Sequence, residues 1–195
     1  MKNIAYSIAI LFFLTSSVAL LLDAATPNEF LIDGDMEIWT NPATLTHWTL
    51  AGAGATLNRE GAIKKAGKYS AELVRGSETC SLYQRLNGET YQGKTITFGA
   101  WVYATTAISK LQINYGNPTT YVDYQSHSGS GWEYLTVTAT IGATATDIRC
   151  YLYNVGSGTE SVYFDRATVE LLPKTSSGRK SSSKRRSYSR TTSFR

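Results

Sequence analysis

Polar and apolar residues alternate with a period of two through the middle of the chain. Over residues 134–141, Leu135, Val137, Ala139 and Ile141 fall on one side and Tyr134, Thr136, Thr138 and Thr140 on the other. That is the pattern of a strand with one buried face. Residues 97–104 set Phe98, Ala100 and Val102 against Thr97, Gly99, Trp101 and Tyr103, and residues 110–115 set Leu111 and Ile113 against Gln112 and Asn114. Residues 148–153 set Ile148, Cys150 and Leu152 against Arg149, Tyr151 and Tyr153. Residues 80–86 set Cys80, Leu82, Gln84 and Leu86 against Ser81, Tyr83 and Arg85. Residues 69–74 and 162–171 complete the better strands; in the last, Tyr163, Asp165, Ala167, Val169 and Leu171 share one phase, expected to be the inner one. Gly88, Gly93, Gly116, Gly129, Gly142 and Gly156 fall between the runs, where turns are needed. No window outside the first 22 residues keeps apolar positions at helical spacing. The pattern predicts an all-β fold, a β-sandwich of two antiparallel sheets.

The two ends of the chain differ from this middle. Lys2 precedes a nearly uninterrupted apolar run over residues 4–22, Ser17-Val18-Ala19 offers small residues at cleavage spacing, and Asp23-Ala24-Ala25 offers a poorer site. Residues 1–25 are expected to be a signal peptide or an anchor, and either places the domain outside the cytoplasm. Residues 173–195 are rich in Ser, Arg and Lys and nearly free of aliphatic side chains. Such a segment buries too little apolar surface to offset its chain entropy and is expected to be disordered. Residues 26–172 remain as one β domain.

Charge divides along the same lines. The net +4 of the chain comes from a tail carrying Lys174, Arg179, Lys180, Lys184, Arg185, Arg186, Arg190 and Arg195 without an acid. Residues 26–173 hold ten basic and 14 acidic side chains, a balance of −4. No specific nucleic-acid recognition is therefore expected of the domain; only the tail suits an anionic polymer or surface. Cys80 and Cys150 both fall on the core phase of their strands, where either a disulfide or two buried thiols would fit. Catalytic signatures are weak. His47 and His127 stand alone, and neither H-E-x-x-H nor G-x-S-x-G occurs.

Several phrases, in order, resemble the carbohydrate-binding modules attached to xylanases and β-glucanases (families 4, 9 and 22, galactose-binding-like). Leu31-Ile32-Asp33-Gly34-Asp35-Met36-Glu37 is similar to the group's "N-G-D-F-E" entry strand, and Trp48-Thr49-Leu50 to its "G-W-T" turn. Tyr69-Ser70-Ala71-Glu72-Leu73 resembles "Y-S-A-K-L", Leu82-Tyr83-Gln84 matches "L-Y-Q", and Phe98-Gly99-Ala100-Trp101-Val102 resembles "F-S-A-W-V". Trp132-Glu133 and Val162-Tyr163-Phe164-Asp165 resemble the late "W" and "Y-F-D-D-V" elements. The resemblance covers about residues 30–171 and implies a jelly-roll β-sandwich. Asp33 stands where the group usually has Asn, Arg166 replaces the second Asp of the last strand, and the basic tail has no counterpart.

The resemblance also implies a structural calcium between the two ends of the domain, with Asp35, Glu37 and Asp165 as ligands and Asp33 nearby. Calcium takes six to eight hard oxygens, carbonyls included. Asp165 could instead accept backbone N–H bonds or pair with Lys68 or Arg166. The polar phases supply a candidate ligand surface in Tyr83, Arg85, Trp101, Tyr103, Gln112, Asn114, Arg149, Tyr151 and Tyr153, provided that their strands share one sheet. Tyr115, Tyr121 and Tyr124 could form a wall beside it. Rings flanked by amide and guanidinium donors suit sugars, whose C–H faces stack while their hydroxyls hydrogen-bond. The function expected is non-catalytic binding of a polysaccharide or surface glycan by a secreted or surface-displayed protein. The alternative is a structural or adhesive component of a cell surface or virion that uses the same fold without binding sugar tightly.

Overall fold

The computed structural model describes residues 30–116, 120–124 and 126–173. The expected export segment at 1–25 and nearly all of the basic tail lie outside the described residues. Twelve strands follow in chain order: β1 (Trp39–Asn41), β2 (Thr44–Leu45), β3 (Thr49–Ala51), β4 (Thr56–Glu60), β5 (Ser70–Val74), β6 (Cys80–Asn87), β7 (Thr95–Ala104), β8 (Ser109–Tyr115), β9 (Thr120–Asp123), β10 (Gly131–Thr140), β11 (Asp147–Asn154) and β12 (Ser161–Leu171). A 3-10 turn at Gly88–Tyr91, capped by the Asn87 side chain, joins β6 to the stretch before β7.

Two antiparallel five-stranded sheets form the sandwich. The first runs β10-β7-β12-β5-β4 and the second β3-β6-β11-β8-β9, while β1 and β2 pair separately as a short ribbon. The alternation seen in the sequence builds the core directly. Phe98, Val102, Leu73, Leu135 and Phe164 turn inward from the first sheet, and Leu82, Leu111, Ile113, Ile148 and Leu152 from the second; all are fully buried in one cluster. Outward positions of the first sheet carry a threonine ladder, Thr95 with Thr140 and Thr97 with Thr138, each pair hydrogen-bonded at 2.9 Å. Gly99 lies beneath Tyr134, where any Cβ would displace the ring. The Tyr134 hydroxyl reaches Thr168 at 3.0 Å from there.

One inward polar side chain ties the entry segment to the second sheet. Gln84, on the core side of β6, accepts from the Ile32 N–H at 2.7 Å and donates to the Ile32 and His47 carbonyls at 2.8 and 3.1 Å. Its amide thus bonds backbone groups through both its nitrogen and its oxygen.

The structure settles one open alternative and makes one correction. Cys80 and Cys150 are free buried thiols. Cys80 pairs with Asn154 and Cys150 with Gln84, so the cysteines sit four residues apart along neighbouring strands. At ~3.3 Å per residue that separation is about 13 Å, far beyond the reach of a disulfide. The correction concerns β12, whose pairing with β7 slips between Asp165 and Thr168. Val162 and Phe164 point inward before this bulge, and Ala167 and Val169 after it, all buried. Tyr163 and Asp165 therefore lie on the outer side, the reverse of what uninterrupted alternation predicts. Arg166, with φ of 50°, absorbs the change in direction.

Candidate functional site

The outer face of the second sheet collects most of the residues that the sequence singled out. Strand register aligns Thr49, Tyr83, Tyr151, Gln112 and Asp123 in one row across the five strands. Arg85, Arg149, Asn114 and Tyr121 form the row on one side. Ser81, Tyr153 and Lys110 form the row on the other.

The rings are in mutual contact. Tyr83 and Tyr151 have centroids 5.0 Å apart, and Tyr151 and Tyr153 stack at 5.3 Å with an interplanar angle of 23°. The Lys110 ammonium lies 5.2 Å from the centre of the Tyr153 ring and 3.4 Å from Asp123. Burial, then Tyr151, Asp123 and Tyr121, push the Tyr153 hydroxyl up to about 12, so it stays a neutral donor. Gln112 is only 5% exposed beneath its neighbours, which leaves Asn114 as the more accessible amide of β8. Tyr121, on the edge strand β9, is 62% exposed and is the most open ring of the face.

At one end Asp147 holds two guanidinium groups. Its Oδ1 accepts from Arg85 Nε and its Oδ2 from Arg149 Nε, each at 2.8 Å. The Tyr151 hydroxyl and then Asp147 keep the Arg149 charge firmly in place. Asp147 was not singled out from the sequence, although it continues the outward phase of Arg149, Tyr151 and Tyr153. Lys110 and Asp123 were likewise missed; only strand pairing reveals that they meet.

Trp101 and Tyr103 do not join this face. β7 belongs to the first sheet, so both rings project from the opposite side of the sandwich. There Tyr103 contacts Trp132 and Tyr163 at 5.7 Å each, Trp101 contacts Tyr134 at 5.4 Å, and the Lys65 ammonium covers the Trp101 ring at 3.5 Å.

The acidic residues of the entry segment meet β12 on that same side. Asp165 is 1% exposed, buried beneath the loop before β5. Its Oδ2 accepts from the Lys65 and Ala66 N–H groups at 2.8 and 2.9 Å, and its Oδ1 is buried without a partner. Glu37 Oε1 accepts from the Lys68 and Tyr69 N–H groups at 2.6 and 3.1 Å. Gly67, with φ of +65°, passes so close to the Glu37 carboxylate that no Cβ would fit. Asp35, Glu37, Gly67, Lys68, Asp165 and Arg166 line a cavity of about 470 Å³. Asp33 Oδ1 accepts from the Glu37 and Ile38 N–H groups at 2.8 and 3.0 Å, while its Oδ2 is also buried without a partner. Burial pushes the Asp33 carboxyl up to about 6, with Asp35 beside it adding to the shift, and burial raises Asp165 as well. Among the described residues no three His, Cys, Asp or Glu side chains converge closely enough to hold a metal by themselves. A cation in this cavity would take backbone carbonyls and water alongside the orphaned Asp165 oxygen, Asp35 and Glu37.

No protein-family model and no curated protein sequence matches the chain. Solved structures do. The enzymatically active domain of bacteriophage CBA120 tailspike protein 4 is similar with a TM-score of 0.59 and 13% identity, over 74% of this chain and 21% of that one. The chain thus spans about a fifth of that tailspike structure. A family 16 carbohydrate binding module is similar with a TM-score of 0.57 and 17% identity, over 72% of this chain and 99% of the module. The C-terminal family 22 carbohydrate binding module of Clostridium thermocellum Xyn10B is similar with a TM-score of 0.53 and 20% identity, over 72% and 96%. Two sheets of five strands and near-complete coverage of both modules lead to one conclusion: the described domain has the jelly-roll fold of the carbohydrate-binding modules.

Proposed function

We propose that the domain is a non-catalytic glycan-binding module of an exported protein, with its site on the outer face of the second sheet. The observation that carries this reading is the contiguous Tyr83–Tyr151–Tyr153 cluster, flanked by Arg85, Arg149 and Asn114 on an open sheet. Sugar rings present C–H faces to aromatic rings, and fixed donors beside them set orientation. A screen of the protein against polysaccharides tests the reading. Binding of at least one glycan that is lost in Tyr83→Ala supports it; no binding to any glycan by the folded protein refutes it. The second reading, a structural component of a virion or cell surface, draws on the fold likeness to a tailspike and would gain from that negative result.

The cavity between the entry segment and β12 supports a structural calcium in the same proposal. The donors are hard oxygens, and the buried, unpartnered Asp165 Oδ1 supplies a negative charge that a cation would compensate. Bound there, the ion would join the entry segment to β12 and the loop before β5. The N-terminal apolar run is read as an export signal and the basic tail as a tether to an anionic polymer or surface.

A further inference from the structure

We infer that the glycan recognised on the second sheet carries a negative charge, a carboxylate or a sulfate, received by Arg85 and Arg149. The inference rests on the glycan reading and specifies its ligand class. Arg85 and Arg149 are direct cross-strand partners, and like charges in that position repel. A single carboxylate, Asp147, sits between them, so the group keeps a net positive charge. Both bonds to Asp147 are made by Nε, so the Nη fork at the tip of each guanidinium is not spent on that carboxylate. The Arg85 and Arg149 side chains are 61% and 38% exposed, open to solvent where a ligand would lie. Asn114 continues the same row, and each Asp147 oxygen already accepts one arginine N–H. In the row beside the tyrosines, donors therefore outnumber acceptors. A neutral sugar hydroxyl needs acceptors as often as donors, whereas a carboxylate or sulfate only accepts and matches the planar fork of arginine. The charge is also local: residues 26–173 are net negative, yet this end of the face is positive. An anionic ligand would neutralise the positive charge that remains once Asp147 has paired with both guanidinium groups.

The test is an array carrying polygalacturonate, glucuronoxylan and a sulfated galactan, each beside its carboxyl-reduced or desulfated form, probed with the full chain at about 0.15 M salt. The expected result is at least tenfold tighter binding of one acidic polymer than of its neutralised partner, and loss of that preference in Arg85→Gln/Arg149→Gln. Which pair shows the difference tells carboxylate from sulfate. A preference that survives in the double variant belongs to the basic tail and overturns the inference. Equal binding of charged and neutralised forms overturns it while leaving glycan binding intact. Binding to no polymer overturns both. Should the double variant fail to fold, the Nε–Hε resonances of Arg85 and Arg149 in the unaltered protein decide. They shift with an acidic oligosaccharide and not with its reduced form if the inference holds, and shift with neither or with both alike if it does not.

Discussion

Asp165 stands directly across from Trp101, and the next residue of β12 to regain a partner on β7 is Thr168, opposite Gly99. The extra residue in that interval turns Asp165 out of the core and under the loop before β5, where it meets two backbone N–H groups and the cavity that Asp35 and Glu37 line. A bulge is a common device for re-aiming one side chain without breaking a sheet. Its position here turns a carboxylate towards the cavity rather than the core.

Calcium should raise the melting temperature, because an ion that binds only the folded state stabilises it by mass action. Asp165→Ala should remove the difference between scans run with calcium and with chelator. Identical melting temperatures for the unaltered protein in the two buffers would exclude the site.

The metal-free protein should lose stability as pH rises from about 4 towards 7 at the Asp33 position. The folded-state value of Asp33 is raised from 3.8 to about 6, so the folded chain holds this proton more tightly than the unfolded one. The stability so gained is complete below about 3.8 and lost as pH rises through about 6. Asp165 shifts in the same direction, whereas Glu60 and Glu133, held low by backbone N–H groups, act oppositely. The comparison with Asp33→Asn isolates the effect, since the amide oxygen can keep both N–H bonds and Asn tolerates the positive φ of 57°. In chelator the variant should melt higher than the unaltered protein at pH 7, with the gap closing towards pH 4. A constant gap would contradict this.

Tyr151→Ala should weaken glycan binding by about 1–2 kcal/mol, roughly tenfold, while near-ultraviolet dichroism shows a folded protein. Tyr103→Ala, on the other sheet, should leave affinity unchanged and lower stability instead, through its lost contacts with Trp132 and Tyr163. Titration calorimetry on both variants, with one denaturation curve each, separates the two roles.

Unfolded in denaturant without reductant, the chain should yield two titratable thiols, Cys80 and Cys150. In the native state both should react slowly, since they are buried and burial raises the thiol values of each. Recovery of no thiols from protein purified under oxidising conditions would count against the register between β6 and β11.

Alternation made the fold class legible because strands such as β7 and β11 bury one face without interruption. The same rule failed at Asp165, where one inserted residue reverses phase and leaves no mark in the hydrophobic pattern. The candidate face was legible strand by strand, and Tyr83, Tyr151, Tyr153, Arg85 and Asn114 do lie together. Which strands share a sheet is a matter of long-range pairing, on which local periodicity is silent. Hence Trp101 and Tyr103 could be recognised as outward rings but not assigned to the far side of the sandwich. Asp147 escaped notice for the same reason, since its role depends on an arginine 62 residues away.

The amide of Gln84 has a further effect on the entry segment, in the time domain. To lift residues 31–33 from the domain would leave a buried side-chain amide without the Ile32 N–H and carbonyl that satisfy it, and each such orphan costs about 1–3 kcal/mol. A stretch outside any strand, such as residues 31–33, would ordinarily open and close many times for each global unfolding event. Here the Ile32 amide proton should exchange with solvent about as slowly as the protons of β6 itself, so that an irregular segment keeps the clock of the sheet it rests on.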